Sequence, residues 1–300
     1  GFTTNQSILS PKAFISGAFT KTGRNEIQEF IKMIEKAFRD SQVLQKFETD
    51  FWAWYTREFY SQWFDFSSVF PVAEMWESLV ENWTDLGAVM AGDQNPYFLL
   101  LAKMADEIEW MKDHPHDMPL WAEAVVRLKK VQSLAETEIK KEKGSWTARL
   151  SITREKLTDT IQKVRENETY KTIDLKQTAD LAYNLKFAGI WNEYVSSLKT
   201  LSAATAYNEK CFHMFSDYFK ALSDPEKQKE PYCQTYDNLV NLKAFLKQNQ
   251  TSPVVLNLIT GPFDFMAIYG IYNSVAYLQK KWEEIRSEER RVGKECATGC

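Results

Sequence analysis

Three histidines stand in the 300-residue chain, and two share one stretch: Asp113, His114, Pro115, His116, Asp117. Imidazole and carboxylate are ligand types that zinc and other transition ions take. HxH spacing with an intervening proline on a polar loop supplies no third ligand from a rigid element, so the stretch reads as a solvated loop. The remaining histidine, His213, follows Cys211 by two positions in a helical pattern. Residues two apart on a helix point to different sides, so the pair does not make a nucleophile and its base. Cys211 and Cys233 have no CxxC and no histidine pair beside them, which leaves no metal-ligand signal. They either close one disulfide in an oxidising compartment or sit as small buried hydrophobes, and the second is the expectation.

Other reaction signatures are missing too. The sequence contains no GxxxxGK[ST] phosphate loop, no GxGxxG after a strand and no GxSxG elbow. A DDxxD or paired-carboxylate motif, which an aromatic-rich helical terpene synthase would need, is also lacking. Acidic residues fall on polar faces beside lysines. A net charge of −4 argues against a nucleic-acid surface, which wants a basic stripe. The expectation is a chain without catalytic residues, cofactor, metal or small-molecule substrate.

The elements that would have to position such residues are far better marked. Aromatic residues make up 14% of the chain, and its 11 glycines and 9 prolines fall mostly between periodic runs. The densest run is Phe47 to Phe70. There Phe47, Phe51, Tyr55, Phe59, Trp63, Phe66 and Phe70 recur three or four residues apart, on one face of a helix of roughly six turns. Trp52, Trp54, Tyr60 and Phe64 widen the apolar surface, so this helix needs cover on more than one side. Pro71 stops it, having no N–H and clashing with the preceding turn.

Before this run, Thr20 or Thr22 can cap a helix with a stripe of Ile27, Phe30, Ile31, Ile34 and Phe38. After it, Met75, Trp76, Leu79, Val80, Trp83 and Leu86 predict another helix, ended by Gly87 or Gly92. Asn95 suits an N-cap and Pro96 a first helical position. The helix they open points Phe98, Leu101, Met104, Ala105 and Ile108 inward and leaves Lys103, Asp106, Glu107 and Glu109 to solvent. Leu120 to Leu134 and Trp146 to Val164 are helical but sparse in apolar residues, and read as a polar antiparallel hairpin. Leu181, Leu185, Ile190, Trp191, Tyr194, Leu198 and Leu201 restore a strong stripe. Tyr207 to Leu222 follows, and then Tyr236, Leu239, Val240, Leu242, Phe245 and Leu246.

Val254 to Trp282 is mostly apolar, but Asp264 in a bilayer would cost about 2.5–3.5 kcal/mol. Two shorter helices broken at Gly261 and Pro262 are expected instead, the second packing Phe265, Ile268, Tyr269, Tyr272, Ala276 and Leu278 inward. From Arg286 the string RSEERRVGKEC resembles the translation of a common sequencing adaptor, so 286–300 is set aside as a non-native tail. No signal peptide is visible before Pro11, and the chain reads as an internal piece.

Several blocks in this order resemble the IcmF or TssM family, the large inner-membrane protein of bacterial type VI secretion systems. They are GAFT at Gly17, Ala18, Phe19 and Thr20 with Gly23 following, and FxxWYxxEFxxxW from Phe51 through Trp54 and Tyr55 to Trp63. NPYFLLL from Asn95 and Pro96, GPFDF from Gly261, Pro262 and Phe263, and LQKKWEE around Trp282 complete the set. The resemblance implies the helical periplasmic portion of an inner-membrane protein, a strut in an envelope-spanning complex. Its implied partners are the other membrane-complex subunits and itself. The phosphate loop, membrane anchors and terminal domain of that family have no counterpart here, so neither nucleotide hydrolysis nor lipoprotein docking carries over.

The fold class expected is all-α, a bundle of roughly ten helices without a sheet. Three divisions follow: an aromatic-rich subdomain (1–118), a polar hairpin (119–170) and a second helical subdomain (171–285). The competing function is a helical binding protein or enzyme whose aromatic helix lines an apolar pocket near Trp54, Tyr55 or Trp63.

Overall fold

The computed structural model describes residues 14–37, 41–76, 83–110, 118–141, 175–221, 230–247 and 251–298. Among them are nine α-helices and no strand: α1 Lys21–Ala37, α2 Ser41–Ser68, α3 Trp83–Ala91, α4 Pro96–Ile108, α5 Leu120–Lys141, α6 Leu175–Thr205, α7 Asn208–Ala221, α8 Pro231–Lys247 and α9 Pro253–Thr298. Short 3₁₀ turns lie at Gly17–Phe19 and Ala73–Met75. The all-α class is therefore as the periodicity predicts. Phe38, Leu79, Val80, the Asp113–Asp117 stretch and the second arm of the predicted polar hairpin lie outside the described residues.

Chain contacts divide the described residues into two units. One comprises those within Gly1–Pro71, Tyr97–Lys129 and Asn249–Ile259, the other those within Val72–Pro96, Lys130–Gln248 and Thr260–Cys300. Each is assembled from segments distant in sequence, whereas the sequence divisions are contiguous.

In the first unit α2 is the centre. Tyr55, Phe59, Tyr60 and Trp63 are buried, and Phe59 is wholly enclosed. Rings reach it from two sides, as its wide apolar surface demands: Phe59 packs edge-on against Trp110 at 5.6 Å, and Tyr60 against Trp121 at 5.9 Å. Phe47 and Trp54, both on the predicted apolar surface, are exposed. Spacing marks a face, and burial along it begins beyond the first turns. On α1 only Ile31 of the predicted stripe is buried, and Phe30 is exposed.

Helix α4 buries Leu101, Met104, Ala105 and Ile108 as its spacing predicts, along with Tyr97 and Leu100. Glu107, assigned to solvent by sequence, is 3% exposed. It falls three residues after Met104 and seven after Leu100, on the buried stripe itself. Helix α5 also departs from expectation. Trp121, Ala122, Val125, Leu128 and Val131 are all buried, so it is a core helix rather than the arm of a polar hairpin.

The second unit is built on α6, which buries Phe187, Trp191, Tyr194, Leu198 and Leu201. Helix α8 packs along it, with Thr235 Oγ1 donating to the Ser197 carbonyl at 3.0 Å and Phe245 stacking on Tyr183 at 4.8 Å. Tyr236 and Val240, predicted inward on α8, are exposed. Helix α3 runs through Gly87 to Ala91, so Gly92 is its end. Gly87 serves packing instead: a Cβ there would lie 2.8 Å from the Tyr269 ring.

The predicted break at Gly261 and Pro262 is absent. Helix α9 is continuous, with Pro262 inside it. An interior proline removes one hydrogen bond and costs about 3 kcal/mol. Burial of Val254, Val255, Leu258 and Ile259 before it, and of Phe263, Phe265, Met266 and Tyr269 after it, outweighs that, since each such side chain contributes roughly 1.5–3 kcal/mol. Tyr272 and Leu278, predicted inward, are exposed. The helix is long and apolar enough to cross a membrane, with an 18-residue window of mean hydropathy 1.5, and 56% of that window is buried within the fold.

Candidate functional site

Two of the five family-like blocks, together with the part of a third that begins at Tyr97, lie in the first unit. The chain turns at Gly17–Phe19, and Thr20 then caps α1: its hydroxyl accepts the Gly23 N–H at 3.2 Å and donates to the Gly17 carbonyl at 2.7 Å. This selects Thr20 over Thr22 as the cap. Helix α2 clamps the same turn with two ring donors. Tyr55 Oη donates to the Ala18 carbonyl at 2.6 Å, and Trp63 Nε1 donates to the Phe19 carbonyl at 3.0 Å. Donors about two turns apart on one face meet consecutive carbonyls, as their eight-residue spacing allows. The Phe19 ring lies 5.4 Å from Tyr55 and 6.4 Å from Trp54.

Two features complete this clamp. A Cβ on Gly23 would stand 2.0 Å from the Gly17 carbonyl oxygen and 2.8 Å from Ala18 Cα, so no other residue lets α1 approach the turn. Glu107 of α4 accepts the Lys21 backbone N–H with its carboxylate and pairs with Lys103. A carboxylate at the first turn of α1 meets both the unpaired N–H groups and the positive end of the helix dipole. From the NPYFLLL block, Tyr97 Oη donates to the Pro71 carbonyl at 2.9 Å, and its ring meets Phe70 at 5.2 Å, tying α4 to the end of α2.

Tyr55 is 1% exposed. Burial, aided by the charge of Glu107 and opposed by that of Arg24, pushes its phenol up to about 12. It is therefore a permanently neutral donor at any physiological pH. Arg24 lies over the Trp110 ring, 4.6 Å from its centroid.

Asn95 is wholly buried in the second unit, where its side-chain amide donates to the Met90 carbonyl, and Pro96 takes the first position of α4. The GPFDF block also belongs to the second unit. Gly261 and Pro262 are buried, and the Phe263 ring sits 5.2 Å from Tyr232 and 5.9 Å from Tyr236. Trp282 of the last block is exposed.

Cys211 and Cys233 are both free and buried. Cys211 Sγ donates to the Gly270 carbonyl at 3.0 Å, while His213 of the same helix is exposed. Burial pushes both thiols up, Cys211 against a hydrogen bond from Ser274, and Cys233 with help from Asp237 and Glu230. Each is held as a protonated thiol, the poorer nucleophile. Among the described residues no three His, Cys, Asp or Glu side chains gather as a metal site would require.

A shallow open cleft borders the clamp, lined by Thr20, Thr22, Glu26, Ile27 and Phe30 among others. Its lining does not include Trp54, Tyr55 or Trp63. Glu107, Tyr97 and the Ala18 carbonyl went unrecognised in the sequence. Glu107 had a legible signal in its register on the α4 stripe, whereas a backbone carbonyl carries none.

The chemistry this arrangement supports is fixation of one helix on another. No family model, curated protein or solved structure matches the chain. The class defined by the fold is an all-α protein whose aromatic rings fill its core.

Proposed function

We propose that this chain is a non-enzymatic helical scaffold, a segment that assembles with other proteins and with itself in a trans-envelope secretion complex of the IcmF or TssM kind. The observation that carries the reading is the clamp. The first two family-like blocks, thirty residues apart, are joined by the Tyr55 and Trp63 bonds to consecutive carbonyls of the Gly17–Phe19 turn. Tyr97 of the third block ties α4 to the same helix. Motif residues that hold backbone to backbone suit a strut, which has to transmit force without its helices slipping.

The segment is read as periplasmic. In this reading α9 is a core helix, since Asn273 is buried and donates to the Thr205 carbonyl at 2.9 Å within the fold. The competing pocket reading has less support: the Tyr55 and Trp63 donors are already bonded to backbone, and their rings are packed against Phe19, Phe51, Phe59 and Phe66.

Chemical crosslinking in the periplasm of a bacterium that encodes the chain tests the proposal. The expected result is capture of the chain with itself and with secretion-complex subunits. A chain that crosslinks to neither is not a scaffold segment. Genomic sequence upstream of Gly1 encoding two membrane spans and a phosphate loop would support the family, and its absence would count against it.

A further inference from the structure

The two ends of α1 are held very differently. At its start, the buried Glu107 carboxylate accepts the Lys21 N–H and the Thr20 hydroxyl accepts the Gly23 N–H at 3.2 Å. The Arg24 guanidinium lies 4.6 Å from the centre of the Trp110 ring, and Gly23 approaches the Gly17 carbonyl so closely that no Cβ fits. Beyond Asn25 this anchoring stops. Among the described residues, the side-chain bond that α1 makes there is internal, the Glu29–Lys32 pair at 2.8 Å. Exposed pairs of this kind contribute little. Ile31 is the buried residue of the helix, Phe30 and Met33 are exposed, and from Lys32 to Ala37 only Ile34 is half-buried.

Local order cannot make up for this. A helix of 17 residues is marginal alone in water and draws its stability from the face it buries. Helix α2 buries Tyr55, Phe59, Tyr60 and Trp63, whereas the last nine residues of α1 bury one isoleucine. Segments with few buried contacts open without unfolding the rest of the protein.

We propose that α1 is a strap latched at one end: its C-terminal half unravels and rewinds while its first turn stays fixed and the unit beneath stays folded. Glu107 is the latch, a positioning residue. Its carboxylate sits at the positive end of the α1 dipole and is itself held by Lys103. Opening therefore starts at the Ala37 end and stops before the Gly23 contact. Each opening uncovers Ile31 and Ile34, so the strap controls when these side chains are covered. The strap is independent of the scaffold reading and adds a motion to it.

Native-state hydrogen exchange on the full chain, resolved to single amides and corrected for intrinsic rates, tests this. In an ordinary helix the first-turn amides exchange first, because they have no partner within the helix. Here the order is inverted. Amides from Lys32 to Glu35 exchange at least about tenfold faster than those of Lys21, Gly23 and the buried turns of α2. Two variants separate the ends. Ile31→Ala speeds exchange from Lys32 to Glu35 at least about tenfold and leaves Lys21 and Gly23 within about twofold. Glu107→Gln does the reverse, because it keeps the shape of the side chain and removes its charge.

Unchanged circular dichroism confirms that each variant folds, and if Glu107→Gln does not fold, the unaltered chain and Ile31→Ala still decide. Uniform exchange along α1 overturns the strap, as does exchange of its C-terminal half no faster than the buried turns of α2. A variant that speeds both ends equally makes α1 one cooperative unit and overturns the latch. None of these outcomes alters crosslinking to other subunits, which tests the scaffold reading separately.

Discussion

Helices α2 and α9 carry the same kind of signal, large apolar side chains at helical spacing, and the fold treats them oppositely. Tyr55, Phe59 and Trp63 are enclosed on α2, while Val275, Leu278 and Trp282 at comparable spacing on α9 stand in solvent. The difference lies in what faces each helix. Helix α2 meets the Gly17–Phe19 turn, Trp110 and Trp121, and two of its rings are anchored by hydrogen bonds. From Leu278 to Arg291 the side chains of α9 are exposed. An apolar stripe is a demand for a partner, and the address of that partner is written elsewhere in the chain.

The sharpest way to break this comparison is to remove a ring from the covered stripe. Phe59→Ala should cost about 3–5 kcal/mol, because it loses the transfer free energy of the ring and leaves a cavity between Tyr55, Trp63 and Trp110. Urea unfolding followed by tryptophan fluorescence measures it, and a cost below about 1 kcal/mol would mean that the α2 core is not packed as described.

Next in size is Gly23→Ala. The added methyl meets the Gly17 carbonyl, and overpacking of this kind costs about 1–3 kcal/mol. Backbone rather than a flexible side chain is in the way, so relaxation must move the turn and weaken the Tyr55 and Trp63 bonds with it.

Tyr55→Phe sharpens the clamp itself. Loss of the bond to the Ala18 carbonyl costs about 0.5–1.5 kcal/mol at neutral pH. It also alters the alkaline limb of stability. The folded-state value of about 12 is raised above the unfolded 10.0, so the neutral phenol favours folding fully below about pH 10. That contribution is lost as pH rises towards 12. Stability of the unaltered chain should therefore fall over this window more steeply than that of Tyr55→Phe. Parallel curves would show that folding does not raise the phenol of Tyr55.

Thr20→Ala should cost about 1 kcal/mol by leaving the Gly23 N–H without its cap. The smallest effect belongs to the exposed stripe. Trp282→Ala should change monomer stability by less than about 0.5 kcal/mol, a result that calorimetry on dilute protein reads directly.

Much of the architecture was legible in the sequence because helices announce themselves locally. Asn95 and Pro96 do immediately precede and open α4, and Leu101, Met104 and Ile108 face inward as their spacing requires. The errors share one cause. Pro262 reads as a stop by a local rule, which burial on both sides of it overrides. Helix α5 looked polar by apolar count, yet Trp121, Val125, Leu128 and Val131 fall in register on a single covered face. Residue type assigns Glu107 to solvent, although its position lies on the buried stripe. The clamp is legible only in half: spacing places Tyr55 and Trp63 among the aromatics of one helical face, but nothing marks the carbonyls of Ala18 and Phe19 as their acceptors.

What the sequence determined unaided was the all-α class and which residues occupy each helical face, because both follow from 3.6-residue periodicity and the local rules of capping. What only the tertiary structure decided was which of those faces are covered. Burial depends on segments far apart in the chain arriving at the same place, as Gly17–Phe19 does at Tyr55 and Trp63. No local spacing encodes that meeting.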